Sequence, residues 1–257
     1  LRAAARSCER VGASNQQALY LGMLAESLWA VGEVEAAVDA LEDGAAAADS
    51  LTLSHAAWLL YLGQWDDARE WFERFVEGEP DPQRRVFARL GLARALAWTG
   101  DVAAAIRECD VALATLAPTK VPRFEVPVRC LRDALDGDLA AAVEALAEAR
   151  AVCAPYEYAA AVLDVGHGLV ARGAAGPLIA RYQALSEPIA QDLLRYRVAD
   201  LRGQLCLSVG DSEGARHGLG VAREQLERLR ERLPEPYRDQ MREHPWVREL
   251  LRVRAVP

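Results

Sequence analysis

One short pattern recurs along this chain and constrains its fold more than any other feature. A glycine is followed by a polar or acidic residue and an apolar residue, and in most copies an alanine stands five positions after the glycine. Successive copies are 31, 37, 37, 36 and 37 residues apart. A period of this size indicates a chain built from stacked, similar units. The glycines are Gly32, Gly63, Gly100, Gly137, Gly173 and Gly210.

Two further positions of each copy keep their character. The residue seven positions before the glycine is always small: Ala25, Ala56, Ala93, Cys130, Gly166 and Gly203. The residue nine positions after it is apolar, aromatic or cysteine: Leu41, Phe72, Cys109, Leu146, Tyr182 and Leu219. The alanine after the glycine is replaced by Leu178 in the fifth copy. Agreement at several offsets makes the repeat more specific than the alanine-rich composition alone would allow.

Each offset has a physical reason in a pair of antiparallel helices. Glycine adopts the left-handed conformation that ends a helix without strain. An acidic residue directly after it is favoured at the positive end of the next helix. Small residues on both helices permit close approach, and the larger apolar residues fill the space beside that contact. One such hairpin cannot bury its apolar faces alone, so the hairpins are expected to stack.

Composition agrees with an all-α protein and excludes several functional classes. Hydrophobic residues make up 52% and charged residues 26%, with helix-favouring Ala, Leu, Arg and Glu dominating. A net charge of −8 disfavours binding to nucleic acid. No apolar run approaches the length of about 18 residues that a membrane span needs, and no signal peptide opens the chain. Five cysteines without a C-x-x-C pair predict reduced, buried thiols and a cytoplasmic location.

The pattern of a small residue, then Gly-Asp-apolar, then Ala resembles the tetratricopeptide-repeat (TPR) motif. The copy with Gly63 matches best, because Trp65, Ala68, Phe72 and Pro80 all fall at characteristic positions. The resemblance implies a single domain, 1–257, folded as a right-handed superhelical solenoid of antiparallel helix hairpins. It would hold an N-terminal helix (1–14), six degenerate repeats (15–233) and a C-terminal cap (234–257), with about fourteen helices in all. Most spacings exceed the usual repeat length of about 34.

The resemblance also implies where a partner would bind, because the first helix of each TPR hairpin lines the concave face. Aromatic and Arg side chains are the types that most often anchor protein interfaces. The alternative is that these aromatic side chains pack between hairpins, and the two possibilities are balanced for any single residue. The residues expected to face the groove are Glu26, Trp29, Tyr61, Phe87, Arg94, Trp98, His167 and Gln204.

The C-terminal part of the chain carries its own expectations. Leucine and alanine at helical spacing predict one long helix over 213–233, whose apolar seam packs against either the C-terminal segment, which we favour, or a partner helix. Residues 236–254 read as a polar capping helix broken at His244-Pro245. Gly166 and Gly168 fall within one predicted helix, and each is expected to weaken it by about 1 kcal/mol.

No motif of a known catalytic or nucleotide-binding site occurs in the sequence. Asp164 and His167 are three residues apart on a predicted helix and could share a metal ion, although an ion pair is the simpler interpretation. Asp66 and Asp67 are expected to stabilise the first turn of a helix rather than to act as paired catalytic carboxylates. We therefore predict no catalytic residues, no metal site and no cofactor.

The sequence predicts a protein-interaction scaffold that binds a peptide or protein partner in its concave groove, and neither nucleic acid nor membrane. Other domains of the same full-length protein are a second class of partner, because the chain begins with Leu1 rather than Met. The alternative function is a sensor or regulatory domain of a larger bacterial signalling protein, such as a kinase, an ATPase or a transcription regulator. An all-α enzyme is a third and less favoured interpretation.

Overall fold

The structure is a computed structural model that describes residues 1–30, 33–47, 53–118, 121–187 and 192–252. Within these ranges it is all-helical, and neighbouring helices pack in chain order. The helices are α1 (Arg2–Arg10), α2 (Ser14–Ala30), α3 (Val34–Ala47), α4 (Leu53–Tyr61), α5 (Trp65–Gly78), α6 (Pro82–Thr99), α7 (Val102–Leu116), α8 (Pro122–Asp136), α9 (Leu139–Val152), α10 (Pro155–Arg172), α11 (Gly176–Ser186), α12 (Asp192–Ser208), α13 (Ser212–Arg232), α14 (Glu235–Glu243) and α15 (Pro245–Arg252).

The repeated glycines end helices, as the sequence predicts. Gly63, Gly100, Gly137, Gly173 and Gly210 all have positive φ, between 65° and 98°, and each separates the two helices of a hairpin. Gly32 lies outside the described residues. The aspartates that follow three of these glycines cap the next helix by accepting a hydrogen bond from a backbone N–H three residues on: Asp101 from Ala104, Asp138 from Ala141 and Asp211 from Gly214.

The small residues of the repeat lie where the paired helices touch. The alanines five positions after the glycine have no solvent exposure in any copy that keeps one: Ala37, Ala68, Ala105, Ala142 and Ala215. Leu178, which replaces the alanine in the fifth copy, is only partly buried. A β-carbon added at Gly166 would lie 2.3 Å from the Tyr182 hydroxyl oxygen, so this glycine makes room for the large residue of its own hairpin.

The first helices of the hairpins form a continuous row, which we call the inner row: α2, α4, α6, α8, α10 and α12. Each packs against the next, and α2 also contacts α10 and α12. The row therefore curves until its beginning meets its end. This curvature buries α10 on all sides along much of its length, from Glu157 to Gly166. Within the described ranges no helix is both long and apolar enough to cross a membrane.

The C-terminal region follows the predicted helix pattern, with one long helix and a broken segment after it. The long helix α13 forms, and its leucine seam packs within this chain against α12, α14 and α15. The chain breaks between α14 and α15 at His244, before Pro245, as predicted. The segment from Glu235 to Arg252, hereafter the C-terminal segment, keeps an exposed polar face and also buries an apolar face that the sequence interpretation did not include. Its buried side chains include Met241, Trp246, Val247 and Leu250.

Candidate functional site

Four of the predicted groove residues form one continuous set of contacts on the inner row. The ring of Trp98 lies 6.2 Å from that of Tyr61 and 6.3 Å from that of His167, measured between centroids. The guanidinium of Arg197 lies 3.5 Å from His167 Nδ1, and it also pairs with Asp200, whose carboxylate accepts a hydrogen bond from Gln204. Helices α4, α6, α10 and α12 thus bring these side chains together although they are far apart in sequence.

Two other predicted groove residues, Glu26 and Phe87, do not belong to this set. Glu26, on α2, accepts a hydrogen bond of 2.8 Å from the Ser54 hydroxyl, and burial raises the pKa of its carboxyl. Phe87, near the start of α6, packs edge to face against Phe124 of α8 with centroids 4.9 Å apart. The side chain of Trp29 lies outside the described part of the structure. Phe87 therefore packs against another hairpin, which is the alternative that the sequence left open.

Arg94 makes an internal ion pair rather than facing an open groove. Its guanidinium donates to both carboxylate oxygens of Asp164 at 2.8–3.2 Å, bridging α6 and α10. Both residues are buried, and burial raises the pKa of Asp164 while Arg94 opposes that shift. Asp164 therefore pairs with Arg94 and not with His167. Within the described residues, no three His, Cys, Asp or Glu side chains are grouped in a way that could hold a metal ion.

The space beside Trp98 and His167 is occupied by Trp246 of the C-terminal segment. We call the side chains around this ring the Trp246 pocket. Trp246 is only 6% exposed, and the Arg197 guanidinium stacks over its ring at 4.9 Å from the centroid. The other members of the pocket, with their centroid distances from Trp246, are Trp98 at 4.7 Å, His244 at 4.9 Å, His167 at 5.0 Å and Trp65 at 5.8 Å.

His244 connects the C-terminal segment to the first helices of the chain. Its Nε2 donates to the Tyr61 carbonyl oxygen at 3.2 Å, and its Nδ1 accepts from the Trp246 backbone N–H at 3.1 Å. These two bonds define a neutral imidazole that caps α15, because a proton on Nδ1 would remove the acceptor. Burial lowers the pKa of His244 to about 3, and its hydrogen bond to Tyr61 opposes this shift only in part.

Gly63 provides the space into which His244 fits. A β-carbon at this position would lie 2.9 Å from both Cγ and Cδ2 of His244. At Gly100, Gly173 and Gly210, which have the same role in other hairpins, an added β-carbon would meet no atom of the described residues within 4 Å. The glycine of the second hairpin therefore both ends α4 and receives the C-terminal segment.

Charged groups complete the contact between the C-terminal segment and the inner row. Arg197 is only 4% exposed and forms an ion pair with Asp200. Its guanidinium nitrogen Nη1 also lies 3.5 Å from a carboxylate oxygen of Glu249 on α15. The Tyr237 hydroxyl of α14 donates to Glu42 of α3 at 2.8 Å, which ties the segment to the second helix of the first hairpin. Burial and the nearby positive charge of Arg197 lower the pKa of His167 well below its ordinary value.

Four buried polar atoms around this contact have no hydrogen-bond partner within the described residues. They are Trp65 Nε1, His167 Nε2, Arg197 Nε and Asp200 Oδ1. Three belong to side chains that touch the Trp246 ring, and the fourth belongs to the carboxylate paired with Arg197. Buried polar groups are nearly always satisfied in folded proteins. The C-terminal segment therefore fits the apolar part of this site better than its polar part.

Sequence reasoning identified Tyr61, Trp98 and His167 but missed the residues that the C-terminal segment contributes. The signal was present, because Trp246, Val247 and Leu250 follow the i, i+1, i+4 pattern of an apolar helix face. The surrounding Arg and Glu residues led to the interpretation of a polar cap. Comparison with known proteins finds no matching family model and no matching curated protein.

Proposed function

We propose that this chain is a protein-interaction module of the TPR type, a right-handed solenoid of six hairpins whose inner row binds a segment of another protein. The observation that carries the proposal is that side chains of the inner row, Trp98, His167 and Arg197, pack around an aromatic side chain, Trp246, of the helix α15. A helix placed in a concave surface and anchored by aromatic contacts is a common mode of peptide recognition. The recurrence of αL glycines and fully buried alanines in the hairpins supports the TPR type.

The residue types around Trp246 also favour binding over chemistry. Trp, Tyr and Arg carry most of the energy in protein interfaces, and this site combines Trp65, Trp98, Tyr61 and Arg197. The buried ion pair of Arg94 with Asp164 joins α6, which carries Trp98, to α10, which carries His167. The proposal therefore assigns partner contact to Trp98, His167 and Arg197, and a supporting role to Arg94.

Selection of displayed helical peptides against the purified chain tests this function, because a selection does not require that the partner be identified first. Selected peptides, measured by fluorescence anisotropy, should bind at least about tenfold more weakly to a Trp98→Ala chain. Arg107→Ala, on the exposed face of α7, is the matched control and should leave binding unchanged. Circular dichroism must show that the Trp98→Ala chain is folded. Peptides that bind both variants as tightly as the unaltered chain would place the binding surface outside the inner row.

A further inference from the structure

The C-terminal segment is held by tertiary contacts rather than by its own helical stability. Its two helices, α14 with nine residues and α15 with eight, are shorter than the length of about 12–15 residues at which isolated helices become marginally stable. Its anchors are Trp246 in the Trp246 pocket, His244 against Gly63, and the fully buried Met241, Val247 and Leu250. A segment held in this way can leave as a unit without unfolding the hairpins that hold it.

The unsatisfied atoms indicate which chemical group the site lacks. The Arg197 guanidinium can only donate, so the nearby His167 Nδ1 accepts and the proton of the neutral ring lies on Nε2. Trp65 Nε1, His167 Nε2 and Arg197 Nε are then three buried donors without acceptors among the described residues, against one unsatisfied acceptor, Asp200 Oδ1. An occupant that carries more acceptor groups than α15 would satisfy them. Carboxylates are the strongest such acceptors for Arg and imidazole N–H groups.

The C-terminal segment supplies such a group only from the edge of the site. The Glu249 carboxylate reaches Arg197 at 3.5 Å, yet its side chain is 53% exposed. Trp246 and Glu249 are three residues apart, so they lie on one face of α15, and Leu250 continues the apolar part of that face. The segment therefore presents an aromatic anchor followed by an acidic residue one helical turn later.

We propose that the C-terminal segment is an autoinhibitory occupant of the inner row, displaced by a partner helix that carries an aromatic anchor and a carboxylate one turn later. This inference rests on the proposed function, since it names the partner chemistry of the same site. The partner and α15 compete for Trp98, His167 and Arg197. A partner carboxylate that lies closer to these donors than Glu249 does would bind them more strongly, so a matching helix displaces α15.

A synthetic peptide with the sequence of residues 234–252, labelled with fluorescein, is the probe. Its affinity is measured by anisotropy for the complete chain, for Trp246→Ala, and for Trp71→Ala, which as a matched control removes a half-buried tryptophan of α5 outside the Trp246 pocket. Occupancy of the site by α15 weakens the apparent affinity by the fraction of open chains. We therefore expect the Trp246→Ala chain to bind the peptide at least about tenfold more tightly than the other two.

Changes in the peptide test the partner chemistry directly. A peptide carrying Trp246→Ala should not bind, and one carrying Glu249→Gln should bind several-fold more weakly. Glu235→Gln in the peptide, at an exposed position of the first turn of α14, is the control that should change nothing. Equal binding of the Glu249→Gln and Glu235→Gln peptides would overturn the assignment of a carboxylate.

Hydrogen exchange of the unaltered chain gives a second measurement that does not depend on a variant folding. Saturating peptide should accelerate exchange of the chain's own α15 amides at least about tenfold and leave α9 unchanged. Peptide that binds the unaltered and Trp246→Ala chains equally, with α15 still protected, would overturn autoinhibition while leaving the proposed function intact. Peptide that binds no form of the chain and leaves α15 protected would also overturn this inference, whereas the proposed function is decided by the peptide selection described above.

Discussion

Replacing Gly63 with alanine should loosen the C-terminal segment, whereas the same change at Gly100 should not. Both glycines have strongly positive φ, 83° and 98°, so each substitution introduces the same backbone strain of about 1–2 kcal/mol. Only at Gly63 does the new methyl group also meet a side chain. Its β-carbon would lie 2.9 Å from the His244 ring, against about 3.5–4.0 Å for an ordinary carbon contact.

The additional effect at Gly63 follows from the bonds that His244 makes. Moving the ring by roughly 0.5–1 Å to restore ordinary contact would stretch the 3.2 Å bond to Tyr61 and the 3.1 Å bond from Trp246. Two lost hydrogen bonds at about 1 kcal/mol each predict a further destabilisation of about 2 kcal/mol in the Gly63→Ala chain. The loss should be local to the C-terminal segment.

Urea unfolding and hydrogen exchange together separate the two contributions. The free energy of unfolding should fall for both variants, and more for Gly63→Ala. Exchange of the α15 amides should accelerate in Gly63→Ala and stay at the original rate in Gly100→Ala. If the two variants lose the same stability and protect α15 equally, His244 does not depend on the space beside Gly63 and our account of the contact is wrong.

Three further outcomes are expected from the same structure. Arg94→Ala should lower the free energy of unfolding in urea by about 3–5 kcal/mol, because it leaves the Asp164 carboxylate buried without a counter-ion. Adding Asp164→Leu should recover much of that loss. An Arg94→Ala chain as stable as the original would contradict the buried pair. Ala105→Leu should overpack a hairpin and cost about 1–3 kcal/mol, whereas Ala103→Leu on the exposed face of α7 should change the melting temperature little. The pKa of His244 in the folded chain lies below its unfolded value, so the stability that neutral His244 contributes is complete above about pH 7 and is lost as the pH falls from about 6.5 toward 3. In urea unfolding, the free energy of unfolding should fall over this range by up to about 1.4 kcal/mol per pH unit. A His244→Asn chain has no imidazole to protonate and should lack this part of the slope.

The parts of the fold that sequence could predict are those decided within one hairpin. A left-handed glycine, an aspartate cap and a buried alanine each act over a few residues, so the pattern around Gly100, Asp101 and Ala105 was sufficient. The long helix over 213–233 was equally accessible, because its leucine seam repeats regularly and the structure places it at Ser212–Arg232. Local rules therefore gave both the helices and the points where each pair touches.

The glycines of α10 show where such local reasoning reached its limit. By propensity alone, Gly166 and Gly168 weaken their helix. In the structure a β-carbon at Gly166 would collide with Tyr182, and one at Gly168 would lie 2.8 Å from the β-carbon of Ala134. At both glycines the space of a side chain is taken by atoms of a neighbouring helix, so what weakens an isolated helix is a packing requirement in the assembled chain.

The surface against which the C-terminal segment packs could not be predicted from its sequence. The apolar face of α15 indicates that it will be buried, but the choice of site depends on how far the inner row curves. That curvature adds up from small rotations between successive hairpins, and no single residue encodes it. For the same reason Arg94 was expected in an open groove, whereas the curvature brings α10 close enough for Asp164 to pair with it.

The contact between His244 and Tyr61 joins residues 183 positions apart, which has a consequence for the order of events during synthesis. Hairpins that touch only their neighbours can fold as soon as they emerge from the ribosome, but the Trp246 pocket cannot close until Trp246 itself has been translated. At about 5–20 residues per second, the surface around Tyr61 and Trp65 waits on the order of 10–40 seconds for its occupant. The site of Trp98, His167 and Arg197 is complete only once Arg197 has been made, roughly 2–10 seconds before Trp246 at the same rate. Under the proposed function, a partner that arrives within this shorter interval meets no competitor.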